Sequence, residues 1–174
     1  FLYKILYYLR DILPFSYFSI YKSFGAKKKI FTTFNKQIND MAEDVYFKEI
    51  EKINTKEDIL KIKLENIEVG DLLYDFYLSI YNKPTINIQE NSFKYTMQKF
   101  FLLFYFWHDY YKKNKNKVKA LIVSHDTYHY AIPLRIAIDQ NIPCYTVAHG
   151  QCYFLDKKNI RKKTRFDEYK KDFD

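Results

Sequence analysis

The sequence predicts an α/β fold in which a small parallel sheet joins a large helical portion. Three observations carry this expectation. Residues 119–125 (KALIVSH) and 143–149 (PCYTVAH) each read as a short buried strand ending in a histidine. Between them, residues 130–141 hold apolar side chains at helical spacing, so the three segments read as strand, helix, strand. Upstream, helical patterns dominate, and the longest covers residues 92–114, with Phe93, Met97, Phe100, Phe101, Phe104 and Trp107 on one face. Parallel strands joined by a crossover bind ligands beyond their carboxyl ends. That rule directs attention to His125, Asp126, His149 and Gly150.

The remaining elements follow in order. Residues 2–12 read as a helix stopped before Pro14, and residues 15–24 as a second one ending near Gly25. Residues 28–33 alternate poorly and suggest a short strand. Residues 35–53 carry a helical stripe of Ile38, Met41, Ala42, Val45, Phe47 and Ile50. Thr55 with Asp58 resembles a capping box, opening a short helix to about Ile62. Residues 65–70 break the periodicity. From Asp71, a face of Leu72, Leu73, Phe76, Tyr77 and Ile80 marks another helix, which stops by Lys83 and Pro84. Residues 85–88 look extended. After Tyr153 the apolar density falls, and the tail reads as a solvated helix or the start of a further segment. No internal repeat or linker interrupts the chain, so residues 1–155 read as one domain and 156–174 as a charged tail.

Composition narrows the class. Of 174 residues, 48% are hydrophobic and 20% aromatic, which is ample for a core, while only 3 glycines and 4 prolines argue against disorder and against a turn-rich all-β fold. The net charge of +8 favours anionic partners. The lysines are dispersed and no arginine-rich helix or aromatic RNA-binding signature accompanies them, so nucleic acid is not an expected partner. Cys144 and Cys152 make neither a disulfide framework nor a metal-type pair, which suits a reducing cytoplasm. No uncharged apolar run is long enough to span a membrane. The aromatic residues 1–24 are interrupted by Lys4, Arg10, Asp11 and Lys22 and lack a cleavage site. They read as helices packed on the sheet, with a position at a membrane interface as the alternative. An opening at Phe1 and a charged close at Asp174 suggest a fragment.

Three clusters can carry chemistry. In the first, Ser124, His125, Asp126, Thr127, Tyr128 and His129 follow a strand and precede a helix, where backbone amides can face an anion. His125 can take a proton from an attacking hydroxyl, and Asp126 can orient it or act as the base. The plainer reading has Asp126 or Thr127 capping the helix. In the second, Gly150 after His149 permits close approach of a phosphate or sugar, with Gln151 alongside; an ordinary tight turn explains the same residues. Arg135, one turn into the crossover helix, can reach that rim, although such an arginine more often snorkels or pairs with an acid. In the third, Gly70 allows a turn, Asp71 caps a helix, and Asp71 and Asp75 share a face with Tyr74. Such an acidic pair can bind sugar hydroxyls, and solvent exposure accounts for it equally well. A metal needs three convergent ligands, which the spacing of His125, Asp126, His129 and His149 does not supply, so no metal is expected.

The segment from Ile67 through Gly70, Asp71, Tyr74, Asp75 and Tyr77 to Leu78, followed by Lys83, Pro84 and Thr85, resembles one in bacterial surface-carbohydrate (capsule and lipopolysaccharide) biosynthesis proteins. Val123 to Asp126, with Leu134, Arg135, Ala137, Ile142, Pro143, His149 and Gly150, resembles the amino-terminal Rossmann-like lobe of the same proteins. The likeness covers roughly residues 21–154. It implies the amino-terminal half of a GT-B glycosyltransferase, the lobe that holds a saccharide or lipid-linked saccharide acceptor and supplies a base. The nucleotide-sugar donor would sit in a second lobe, so no cofactor is expected here and turnover by this chain alone is not. His125 and Asp126 would be catalytic. Tyr128, His129, Arg135, His149, Gly150, Gln151, Gly70, Asp71, Tyr74 and Asp75 would bind substrate. The implied location is cytoplasmic, with peripheral contact at the inner membrane. The histidine-glycine pair is also similar to that of polyol-phosphate polymerases of the cell wall, which keeps phosphotransfer open. A non-catalytic membrane-surface or scaffold domain is the third reading.

Overall fold

The structure, a computed structural model, describes residues 17–148 and 151–160, with Tyr17, Phe18, Ala148 and Gln151 described by their backbone alone. The helix expected over residues 2–12, the His149–Gly150 pair and most of the charged tail lie outside the described residues. The chain divides into two compact units between Thr32 and Thr33.

In the first unit, α1 (Tyr17–Ser23) ends where the sequence suggests. Gly25 takes φ +92, and the amides of Gly25 and Ala26 donate to the carbonyls of Lys22 and Tyr21 at 2.9 and 3.0 Å. This is the Schellman closure that glycine permits. The strand expected over residues 28–33 does not form; the segment is irregular, because a poorly alternating stretch gains little without a ladder partner.

The second unit is mixed α/β and mainly helical. Its spine is α5 (Asn91–Asn114), 24 residues and so about 36 Å long. Phe93, Met97, Phe100, Phe101 and Phe104 are fully buried along it, as their spacing predicts. Helix α2 (Lys36–Ile50) packs on this spine, its first turn capped by Asn35 Oδ1, which accepts from the Ile38 amide at 2.9 Å. The buried face of α2 is Ile38, Ala42 and Tyr46, while Met41 and Phe47 stay exposed. The expected stripe is thereby rotated, because the amphipathic Tyr46 turns inward and takes the place given to Phe47.

The capping box opens α3 (Lys56–Leu60) as expected: Thr55 Oγ1 accepts from the Asp58 amide, and Asp58 Oδ2 accepts from the Thr55 amide at 2.9 Å. The hydrogen bonds from Lys61 and Thr55 hold the Asp58 carboxyl well below the usual range. Where the sequence shows only a break, β1 (Lys63–Leu64) and β2 (Ile67–Glu68) form a tight hairpin. Glu65 and Asn66 both take positive φ, 49 and 64, as a two-residue connection of the twisted kind requires. Next comes α4 (Gly70–Tyr81), ended by Asn82 in the left-handed region. Residues 85–88 form no strand: Thr85 lies in a bend, Ile86 and Asn87 are irregular, and Ile88 opens a turn. The Tyr77 hydroxyl joins α4 to the start of α5 by bonds of 3.0 Å to Glu90 Oε2 and to Ser92 Oγ, and Lys83 pairs with the same Glu90 oxygen.

The strand, helix, strand pattern appears as β3 (Leu121–Val123), α6 (Ile132–Asp139) and β4 (Cys144–Ala148). β3 and β4 are parallel neighbours, with Leu121 opposite Cys144 and Val123 opposite Thr146. A 3₁₀ turn, Tyr128–Ala131, leads into α6, which buries Leu134, Ile136 and Ala137 completely. The end of the expected domain, to which the sequence assigns no element, supplies β5 (Gln151–Leu155), antiparallel to β4. Five residues are too few to reveal a strand when its outer positions are half polar. Leu121, Cys144 and Leu155 lie side by side at one end of the sheet, and Val123 and Thr146 lie toward the other. The outward face leaves Ile122 66% and Phe154 53% exposed.

Candidate functional site

Helix α4 begins against the end of α3. The Val69 and Gly70 amides both donate to the Ile62 carbonyl, at 3.1 and 3.2 Å. A Cβ on Gly70 would stand 1.9 Å from the Ile59 carbonyl oxygen. The expected turn at Gly70 is therefore corrected: glycine is needed because the α3 backbone occupies the space of a side chain.

Asp71 is not a cap either. Val69 holds the N-cap position without a side-chain cap bond, and Asp71 lies in the first turn. Its carboxylate is gripped by Arg135, with Nη1 donating to Oδ1 at 2.6 Å and Nη2 to Oδ2 at 2.5 Å. Nη1 also donates to the Glu68 carbonyl at 2.6 Å. Arg135 is only 7% exposed, so a desolvated guanidinium claims the nearest carboxylate in fork geometry. Of the roles open to Arg135 in the sequence, pairing with an acid is the one it takes.

Asp75 follows one turn later on the same face, with the half-buried Tyr74 beside it. Burial first, and then the charge of Asp71, raises the Asp75 carboxyl above its ordinary value, while Arg135 pulls the other way. Asp75 keeps solvent access, so it remains a group a ligand can reach.

Beyond β3, Ser124 Oγ lies 2.8 Å from His125 Nδ1. His125 is exposed and Asp126 half-buried. Tyr128 then takes φ +54, a left-handed conformation that costs a bulky residue about 1–2 kcal/mol. His129 turns away from the rim. Its ring packs between Phe76 at 4.3 Å and Tyr130 at 4.0 Å, with a buried Nδ1 that has no hydrogen-bond partner among the described residues. Burial lowers its pKa below the ordinary 6.5.

The 3₁₀ turn packs directly on α4. Between them opens a cleft of about 390 Å³ lined by Asp75, Leu78, Ser79, Thr127 and Tyr128. Two clusters far apart in the sequence thus share one cavity, with the Arg135–Asp71 pair holding α4 to α6. His149 and Gly150 lie outside the described residues, and Gln151 pairs with Ala148 at the start of β5. The sequence pointed to the segment ending at Leu78 without giving that residue a role and did not single out Ser79, whose signal was its place one helical turn after Asp75.

The lining offers one carboxylate, two aliphatic hydroxyls, a phenol and an apolar floor, and no lysine or arginine among the described residues. That set suits a neutral, hydroxyl-rich ligand better than a phosphate. Among the described residues, no three His, Cys, Asp or Glu side chains converge as a metal site requires. No described helix is long and apolar enough to cross a membrane. No family model, no curated protein and no solved structure matches the chain.

Proposed function

We propose that this chain is the acceptor-side lobe of a glycosyltransferase of surface-polysaccharide synthesis, such as capsule or lipopolysaccharide. The cleft between α4 and the turn after β3 is the observation that carries the reading. A saccharide acceptor lies there with its hydroxyls on Asp75, Ser79 and Thr127 and a ring face against Tyr128. His125 stands at the same strand end as general base. For that role Nε2 must accept the proton, so Nδ1–H donates to Ser124 Oγ, an arrangement the 2.8 Å contact accommodates. The acceptor oxygen, relieved of its proton, attacks the anomeric carbon of a nucleotide-activated sugar as the bond to the nucleotide phosphate breaks. Asp126 orients this step. The donor is held by a second lobe, with His149 and Gly150 proposed as its contacts from this one. The work is cytoplasmic, where nucleotide sugars are made.

Titration of the chain with neutral and phosphorylated oligosaccharides by NMR tests the binding half. Neutral saccharides should bind, and Asp75→Asn and Tyr128→Ala should each weaken them about tenfold. Because an ionised carboxylate accepts the hydroxyls, affinity should fall as pH drops through the raised pKa of Asp75. In the full-length protein, His125→Gln should retain acceptor binding and lose transfer. Failure of every saccharide to bind would end the proposal, as would full turnover in both His125→Gln and Asp126→Asn. Turnover with nucleotide-activated polyols in place of sugars would reassign the chain to polyol-phosphate transfer.

A further inference from the structure

The end of the sheet opposite the cleft has a different chemistry. Residues 112–119, which lead from α5 into β3, carry five lysines and no acid, and all five are exposed. Register sets Leu121 and Cys144 beside Leu155, and the Leu121 amide donates to the Pro143 carbonyl at 2.9 Å. Lys157 and Lys158, which follow β5, therefore emerge at the edge from which Lys117 and Lys119 enter. Asp109 takes Lys113 at 2.7 Å and Asp139 takes Lys157 at 2.9 Å. Among the described residues, Lys112, Lys115, Lys117, Lys119 and Lys158 have no acidic side-chain partner at this edge. The carbonyl end of α5 explains lysines in its last turn. It does not explain those beyond it.

Into the same edge opens a groove of about 360 Å³, floored by Ile138, Ile142, Pro143, Phe154 and Leu155 and flanked by Lys157, Lys158, Asn141 and Asp156, whose carboxylate accepts from the Lys158 and Asn159 amides. Phe154 is 53% exposed and packs edge-on against Tyr145 at 5.5 Å. Apolar depth with cations at its mouth matches an amphiphile with a negative head. A nucleic acid would use the lysines and leave the apolar floor without a role.

We propose that this edge is a membrane-docking surface for bilayers with anionic headgroups. The lysines lie at the level of the phosphates, and Phe154 and the groove take up acyl-chain surface. The five residues of β4 span about 13 Å, so docking here holds the cleft about that far above the bilayer. The inference uses residues distinct from the cleft and stands whether or not the cleft binds saccharides.

Flotation of the protein with vesicles of phosphatidylglycerol mixed with phosphatidylcholine, against phosphatidylcholine alone, tests it. Binding should require the anionic lipid and weaken as salt rises. Each lysine near such a surface contributes roughly fivefold to partition, so the triple variant Lys115→Gln, Lys117→Gln, Lys119→Gln should bind on the order of a hundredfold less. Phe154→Ser should also bind less at constant charge, and the distant exposed pair Lys48→Gln, Lys56→Gln should bind as the parent does. Circular dichroism melting establishes that each variant is folded. Absence of binding to anionic vesicles overturns the proposal, as does equal loss in the distant pair. Tighter binding to single-stranded oligonucleotides, unaffected by Phe154→Ser, overturns it in favour of nucleic acid.

Discussion

Removing the charge of Asp71 should destabilise the second unit by about 3 kcal/mol, and the figure follows from the geometry around Arg135. The guanidinium is 7% exposed and spends two bonds, at 2.6 and 2.5 Å, on the Asp71 carboxylate. Among the described residues its Nε is buried without a partner, and the Glu68 carbonyl is the acceptor that would be left to it. Breaking a buried pair from one side costs roughly 3–5 kcal/mol, because the surviving charge is stranded away from water. Asp71 itself is 36% exposed, so water entering from its side should bring the cost of Asp71→Asn to the lower end. With a urea slope of about 1–3 kcal/mol/M, the unfolding midpoint should fall by about 1–3 M at unchanged slope. Arg135→Met should cost less, since the carboxylate it strands can rehydrate. The double variant should lose about 2 kcal/mol less than the sum of the singles. Asp75 offers an independent readout: with the Asp71 charge gone, its carboxyl pKa should move down in a carbon-13 titration. A cost below about 1 kcal/mol for Asp71→Asn, or strict additivity in the double variant, would refute the assignment of a buried, coupled pair.

Two further perturbations probe the frame around the cleft. Gly70→Ala places a methyl 1.9 Å from the Ile59 carbonyl oxygen, which belongs to backbone and cannot swing aside; we expect a loss of about 3 kcal/mol, seen as a melting midpoint lower by about 10 °C. Glu90 is held at about 2, against an ordinary 4.5, by hydrogen bonds from Lys83, Ser92 and Tyr77. A lowered carboxyl pKa adds stability above 4.5 that is lost as pH falls toward 2, so Glu90→Gln should be less stable at neutral pH and flatter across that acid limb in stepped-pH calorimetry.

Much of the fold was legible because its signals are local. The Thr55–Asp58 box, the glycine stop at Gly25 and the aromatic stripe of α5 are short-range patterns, and each appears where its spacing puts it. The β3, α6, β4 crossover was readable for the same reason. The hairpin at Glu65 and Asn66 was not, since neither residue is glycine and two-residue strands carry no periodicity. β5 escaped because its stability comes from the ladder with β4, a partner that residues 151–155 do not encode.

The candidate site divides along the same line. From the chain alone came a strand end with His125 and Asp126, and a helix with Asp71 and Asp75 on one face, since both depend on backbone repeats of a few residues. Only tertiary packing decided that α4 lies against the turn after β3, bringing Asp75 to Tyr128. It also drew Asp71 to Arg135, 64 positions away, and turned His129 inward onto Phe76. The physical reason is desolvation: a buried guanidinium must find a carboxylate and an aromatic-flanked imidazole must leave water, and which neighbours meet those demands is set by the fold.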